Sequence, residues 1–173
     1  RLHRRAGAAR FDAENIAVTN SGMSALMLAN QALVGPGDRA VIVTPVWPNL
    51  VEIPKILGAQ AVTFPLTWGA SGWTLDLQRL LSVLTPDTRM LCINSPNNPT
   101  SVVMSRDYFK EAIAFAQKFK VIICHDAAYS EIFYDGRRPA SFLEVEGAKE
   151  VGIEFHSLSK TYNMTGWRIG FAV

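Results

Sequence analysis

The sequence predicts an α/β domain of three layers, α/β/α, with helices on both faces of a mainly parallel sheet. Two observations carry this. Six short apolar runs alternate along the chain with stretches of helical periodicity. Those runs are nearly continuous in apolar residues, the pattern of strands buried on both faces. With 173 residues, 49% apolar and 18% charged, the chain can bury one sizeable core, and this composition excludes the disordered and low-complexity classes.

In chain order, Asn20-Ser21-Gly22 opens a helical stretch near Met23–Val34, and the Gly35-Pro36-Gly37-Asp38 turn ends it sharply. Ala40–Thr44 is the first strand run, and a helix near Leu50–Leu57 leads to the second, Gln60–Pro65. Leu75–Leu84 reads as helix and Arg89–Ile93 as strand. The segment Asn94-Ser95-Pro96-Asn97-Asn98-Pro99-Thr100 has the chemistry of a turn. A helix over Ser105–Phe119 and strands over Val121–His125, Ile153–Ser157 and Ile169–Val173 complete the series. No repeat and no Ser/Gly-rich linker interrupts it, so residues 1–173 read as one domain.

Charge excludes some partners. The 17 basic and 15 acidic residues leave a net charge of +2, which makes no case for nucleic acid or a membrane surface. The basic residues near the start (Arg1, Arg4, Arg5 and Arg10) read as a solvated helix face. No run approaches the roughly 18 apolar residues of a membrane span, and no signal-peptide pattern is visible. The abrupt opening at Arg1 and the stop inside an apolar run at Val173 read as cuts. Cys92 and Cys124 each sit within an apolar run, as buried free thiols of a reduced, cytoplasmic protein do.

In parallel sheets, ligands bind beyond the carboxyl ends of the strands, and the chemistry-bearing residues gather there. Ser157-Leu158-Ser159-Lys160 puts a lysine just past a buried strand. Desolvation and neighbouring cations lower the pKa of such an amine, as a Schiff-base nucleophile requires. Eight residues on, Arg168 offers a guanidinium that forks onto phosphate, with Ser157 and Ser159 alongside. Ser21, Gly22 and Met23 open a helix whose free amides suit the same anion. Each device alone has a plainer reading: a surface lysine, a helix cap. Together they predict a phosphate-bearing carbonyl cofactor.

Asp126 follows the Val121–Cys124 run, where its carboxylate can hold a pyridine nitrogen protonated and so make the ring an electron sink. Tyr129 and Asn98 can each bond a phenolate oxygen on that ring. Trp47, in Pro45-Val46-Trp47-Pro48, either stacks on the ring or fills the core.

These segments resemble the class I/II aminotransferases of the fold-type-I pyridoxal-phosphate (PLP) family. The run Ser157-Leu158-Ser159-Lys160-Thr161-Tyr162-Asn163-Met164-Thr165-Gly166-Trp167-Arg168-Ile169-Gly170 matches their lysine segment almost residue for residue. Asn97-Asn98-Pro99-Thr100 and His125-Asp126-Ala127-Ala128-Tyr129 match two more signatures in the right order. From Ser101 onward the likeness is to the LL-diaminopimelate and alanine-type branch, while the part before resembles another bacterial branch.

The resemblance implies the large PLP-binding domain of the aspartate-aminotransferase-like fold, truncated, without its small C-terminal domain and N-terminal arm. It implies transamination between an amino acid and a 2-oxo acid, and a homodimeric, cytoplasmic parent protein. Lys160 would form the Schiff base with pyridoxal 5'-phosphate and shuttle protons, with Asp126 and Tyr129 also catalytic. Asp126 would pair with the ring nitrogen, Tyr129 and Asn98 would bond the ring oxygen, and Trp47 would stack. Ser21, Gly22, Met23, Ser157, Ser159 and Arg168 would hold the phosphate. The same fold also serves PLP lyases and synthases, and ligand-sensing domains of transcription regulators. Two positions depart from the family pattern. Ser101 stands where Gly usually follows Asn-Pro-Thr, and Trp47 stands where Tyr or Phe is commoner.

Overall fold

The computed structural model describes residues 11–70 and 72–173; the basic stretch of residues 1–10 lies outside them. In chain order the described residues form β1 (Ala17–Thr19), α1 (Gly22–Leu33), β2 (Arg39–Thr44), α2 (Asn49–Ile56), β3 (Gln60–Pro65), β4 (Thr67–Gly69) and β5 (Gly72–Thr74). There follow α3 (Leu77–Leu80), β6 (Thr88–Asn94), α4 (Arg106–Phe119), β7 (Ile122–Asp126), α5 (Ala148–Val151), β8 (Gly152–Ser157), α6 (Leu158–Thr161) and β9 (Gly170–Ala172).

Seven strands make one sheet in the order β1-β9-β8-β7-β6-β2-β3. From β8 across to β3 every neighbouring pair is parallel. β9 runs antiparallel to both of its neighbours, so β1 points the same way as β8. The carboxyl ends of β1, β8, β7, β6 and β2 therefore share one edge with the start of β9. That edge holds the site.

The layers follow from alternation along buried strands. Ala40 and Ile42 of β2 face one side, where Met90, Cys92, Cys124 and Phe155 meet Leu26 of α1 and Leu50 and Ile53 of α2. Val41 and Val43 face the other, where Leu91, Ile93 and Ile123 meet Phe109 and Ile113 of α4. Fully burying an Ile, Leu or Phe side chain contributes about 1.5–3 kcal/mol. The three-layer expectation holds. Cys92 and Cys124 are free, buried and directly paired across β6 and β7.

Local chemistry sets the boundaries. Ser105 caps α4 through the Tyr108 amide, and Phe109, Ala112, Ile113 and Ala116 form its buried stripe. The helix stops at Lys120, which is left-handed with φ 55°. The Val121 amide still bonds the Ala116 carbonyl, so β7 starts at Ile122, one residue later than the sequence suggests, and extends through Asp126. The expected helix over Leu75–Leu84 is only the single turn of α3, capped by Asp76, followed by a 3-10 turn over Leu81–Val83. The hairpin β4–β5, with Trp68 edge-on to Trp73 at 5.2 Å, and the short edge strand β1 were not anticipated. Among the described residues no helix is long and apolar enough to cross a membrane.

Candidate active site

A cavity of about 190 Å³ opens at the carboxyl edge of the sheet, and every residue that the resemblance assigns to the cofactor lines it. Ser21, Gly22 and Met23 bring the start of α1 to it. Trp47 comes from the β2–α2 connection, and Asn98, Asp126 and Tyr129 from the ends of β6 and β7. Ser157, Ser159, Lys160 and Arg168 come from the segment joining β8 to β9.

The start of α1 is held there by close backbone packing. Ser21 takes φ 91° and its hydroxyl accepts the Ser24 amide. The amides of Gly22 and Met23 have no preceding helical turn to bond, as at any helix start. A Cβ on Gly22 would lie 3.2 Å from the His156 carbonyl. A Cβ on Gly170 would lie 2.2 Å from the Gly22 nitrogen and 2.5 Å from the Ser21 carbonyl carbon. Only a bare backbone at Gly170 lets β9 pass beneath the helix start and set Ser21–Met23 beside Ser157. Gly170 belongs to the lysine segment, yet its packing role is not readable from that motif.

Beside this turn, Ser157 ends β8 and caps α6, its hydroxyl accepting the Ser159 amide at 3.3 Å. The Thr165 hydroxyl reaches the Ser159 carbonyl at 3.4 Å. Arg168 adopts a left-handed backbone (φ 50°) and donates to the Thr165 carbonyl at 3.0 Å. Lys160 lies on α6 with its Nζ 5.9 Å from the centre of the Tyr129 ring. The sequence suggested an amine desolvated by its strand; instead Lys160 is exposed, because the one-turn helix α6 carries it away from the sheet.

Asp126 is the last residue of β7 and only 7% exposed. Burial pushes its carboxyl above the usual carboxylate range. The Ala128 amide, bonded at 3.2 Å, and the positive fields of His125, His156 and Lys160 oppose that rise. Asn94, the last residue of β6, steers two site residues at once. Its amide donates to the Asp126 carbonyl at 2.9 Å, and its carbonyl accepts the Asn98 amide at 2.7 Å. Asn97 is a tie rather than a site group: it donates to the Pro45 carbonyl at 2.9 Å and to Thr100 Oγ1 at 2.7 Å, fixing the loop that carries Trp47. Ser101 takes φ 60°, a left-handed conformation that suits Gly better.

The sequence matches the profile described as aminotransferase class I and II over residues 1–173. The chain belongs to the class I and II aminotransferases. An LL-diaminopimelate aminotransferase of Syntrophobacter fumaroxidans is 48% identical over 142 residues, which is 82% of this chain and 36% of that protein. This aminotransferase chain thus spans about a third of the length of the curated relatives it matches. The match is longer than the stretch from Ser101 to Val173, so the likeness to that branch reaches well before Ser101. Among solved structures, substrate-bound BacF from Bacillus subtilis superposes with a TM-score of 0.92 at 34% identity, covering 99% of this chain and 44% of that one. N-succinyldiaminopimelate aminotransferase from Mycobacterium tuberculosis superposes with a TM-score of 0.91 at 31% identity, covering 99% and 45%.

Pyridoxal 5'-phosphate is the cofactor of this aminotransferase family, and the cavity suits it. Among the described residues the buried Asp126 carboxylate accepts the Ala128 amide alone, so a cationic partner such as a protonated ring nitrogen would suit it. The α1 amides, the two serines and Arg168 are a donor set for a dianion.

Proposed function

We propose that this chain is the cofactor-binding part of an enzyme that transfers an amino group between an amino acid and a 2-oxo acid. One observation carries the reading: the Lys160 amine, the Asp126 carboxylate and the anion-binding turn at Ser21–Met23 all face a single cavity. When bound, the cofactor supplies an electrophilic carbon and an electron sink for the substrate's Cα.

The chain's own groups then have separate tasks. The Ser21–Met23 amides, Ser157, Ser159 and Arg168 would hold the phosphate. Asp126 would keep a proton on the ring nitrogen, and Tyr129 and Asn98 would donate to the ring oxygen. Trp47 would cover the ring and exclude water. Lys160 would hold the cofactor through its amine, and the same amine would take the proton from the substrate's Cα and give it back. We place the enzyme in the cytoplasm, a reading its free, buried thiols support, and take it to be a homodimer on the likeness to the family.

The names of curated relatives at 48–49% identity favour LL-diaminopimelate as the amino donor. A single-turnover assay tests the proposal. Cofactor-loaded protein is mixed with LL-diaminopimelate, L-alanine or L-glutamate, and released acids are identified by mass. Transamination predicts a 2-oxo acid and the pyridoxamine form of the cofactor in equal amounts. Release of ammonia or an unsaturated product, with the cofactor returned as pyridoxal phosphate, assigns the chain to the lyases and synthases and contradicts the proposal.

A further inference from the structure

Behind the cavity, on the other face of the sheet, lies a charged cluster in an otherwise apolar core. Adjacent residues of a strand face opposite sides, so His125 backs Asp126 on β7 and Glu154 backs Phe155 on β8. The strand register pairs His125 with Glu154. Glu154 is 0% exposed and accepts from His125 Nδ1, His156 Nε2 and the Phe142 amide, each at 2.9 Å. The Ser141 hydroxyl lies 2.9 Å from both of its oxygens. Burial alone would raise its pKa, but the two histidine hydrogen bonds outweigh burial and hold Glu154 well below the usual range. This carboxylate is an anion.

The other nitrogen of His125, Nε2, meets the Ser95 carbonyl at 3.0 Å. A carboxylate and a carbonyl only accept, so hydrogen bonds at both ring nitrogens require a proton on each. The ring is fixed between Phe109 and Phe142, at centroid distances of 5.1 and 6.1 Å.

We propose that His125, carrying a proton on both ring nitrogens and anchored by Glu154, is a positioning residue for Asp126, its positive charge keeping that carboxylate ionised. This rests on the reading of Asp126 as the partner of the cofactor's ring nitrogen, because only the ionised carboxylate holds a proton there. The cations whose fields reach Asp126 are His125 on its own strand, His156 on β8 and Lys160 on α6, with the Glu154 anion bonded to both histidines on the far face of the sheet. Lys160 is exposed and screened by water, whereas both histidines are buried. From α4 and from the turn at Phe142, it is the aromatic rings of Phe109 and Phe142 that meet the His125 ring. Glu154 has a second tie through His156, which stacks on Phe171 of β9 at 4.7 Å. The cluster thereby links β6, β7, β8 and β9 beneath the site.

Nuclear magnetic resonance on the cofactor-free protein, with labelled histidine nitrogens and aspartate carboxyl carbons, tests this. At pH 7 the His125 ring gives two N–H signals with imidazolium nitrogen shifts. In His125→Gln, which keeps polar contacts but not charge, the midpoint of the Asp126 carboxyl titration rises by on the order of one pH unit. Glu154→Gln shifts it in the same direction. A single ring N–H on wild-type His125, a reading that needs no variant to fold, overturns the proposal, and so does an unmoved Asp126 midpoint in a folded His125→Gln protein. Neither readout involves cofactor. A doubly protonated His125 in a protein whose Lys160 does not take cofactor would count against the functional reading alone.

Discussion

Gly170 and Gly22 pack backbone on backbone: a Cβ on Gly170 would lie 2.2 Å from the Gly22 nitrogen. Gly170→Ala therefore pushes the start of α1 away from Ser157 and cannot be relieved by a rotamer change. The expected cost is about 3 kcal/mol in urea unfolding, with cofactor affinity clearly reduced. Gly166→Ala, in the same segment but with nothing within 4 Å of a new Cβ, is the control and leaves both nearly unchanged. Equal behaviour of the two variants would contradict the packing account.

Ser101 occupies a left-handed backbone at φ 60°. Relieving that strain is partly offset by the greater freedom Gly has when unfolded. Ser101→Gly should stabilise the chain by about 0.5–1 kcal/mol, and Ser101→Ala should not. Denaturation midpoints of the three proteins decide it; an alanine variant as stable as the glycine variant would rule out backbone strain as the cause.

Asp126 has its folded pKa raised, chiefly by burial. In the cofactor-free chain the folded state then holds a proton that the unfolded state has already lost, so stability falls as pH rises from the ordinary carboxylate value through the folded one. Asp126→Asn removes this penalty. Without cofactor it should be the more stable protein at pH 7, with the difference closing towards pH 3, while transamination by the loaded enzyme drops by on the order of a hundredfold or more. A variant less stable at pH 7 would show that Asp126 is held by contacts other than those seen here.

Glu154 has the opposite sign. Its folded pKa is depressed despite burial, because His125 and His156 bond it. Its contribution is fully present above the ordinary glutamate value of about 4.3 and is lost as pH falls through the folded value. Glu154→Gln should cost about 3–5 kcal/mol at pH 7, leaving buried donors without their anion, and should flatten the acid limb of the stability profile. An unchanged acid limb would place the acid-labile group elsewhere.

Most of the site was legible because its residues lie in contiguous segments with distinctive chemistry: Ser157–Arg168, Asn97–Thr100 and His125–Tyr129. What escaped was long-range or very short. β1 and the β4–β5 strands are three residues each, too few for a period to register. The reversed direction of β9 follows from a β8–β9 connection that holds only α6 and a 3-10 turn, without the long crossover a parallel return needs. His125 reads in sequence as the last residue of its strand, with nothing local to name its partner. Once β7 extends through Asp126, alternation sends His125 to the opposite face, where its partner Glu154 is 29 residues away. Asn94 and Gly170 act through backbone contacts that no local pattern announces.

The central claim is that Lys160 holds the cofactor. Purified protein mixed with pyridoxal 5'-phosphate, reduced with borohydride and digested, should carry the pyridoxyl label on Lys160, and Lys160→Ala should lose both the label and the visible absorption band. A label on Lys55 or Lys149, or an unchanged band in Lys160→Ala, would contradict the account.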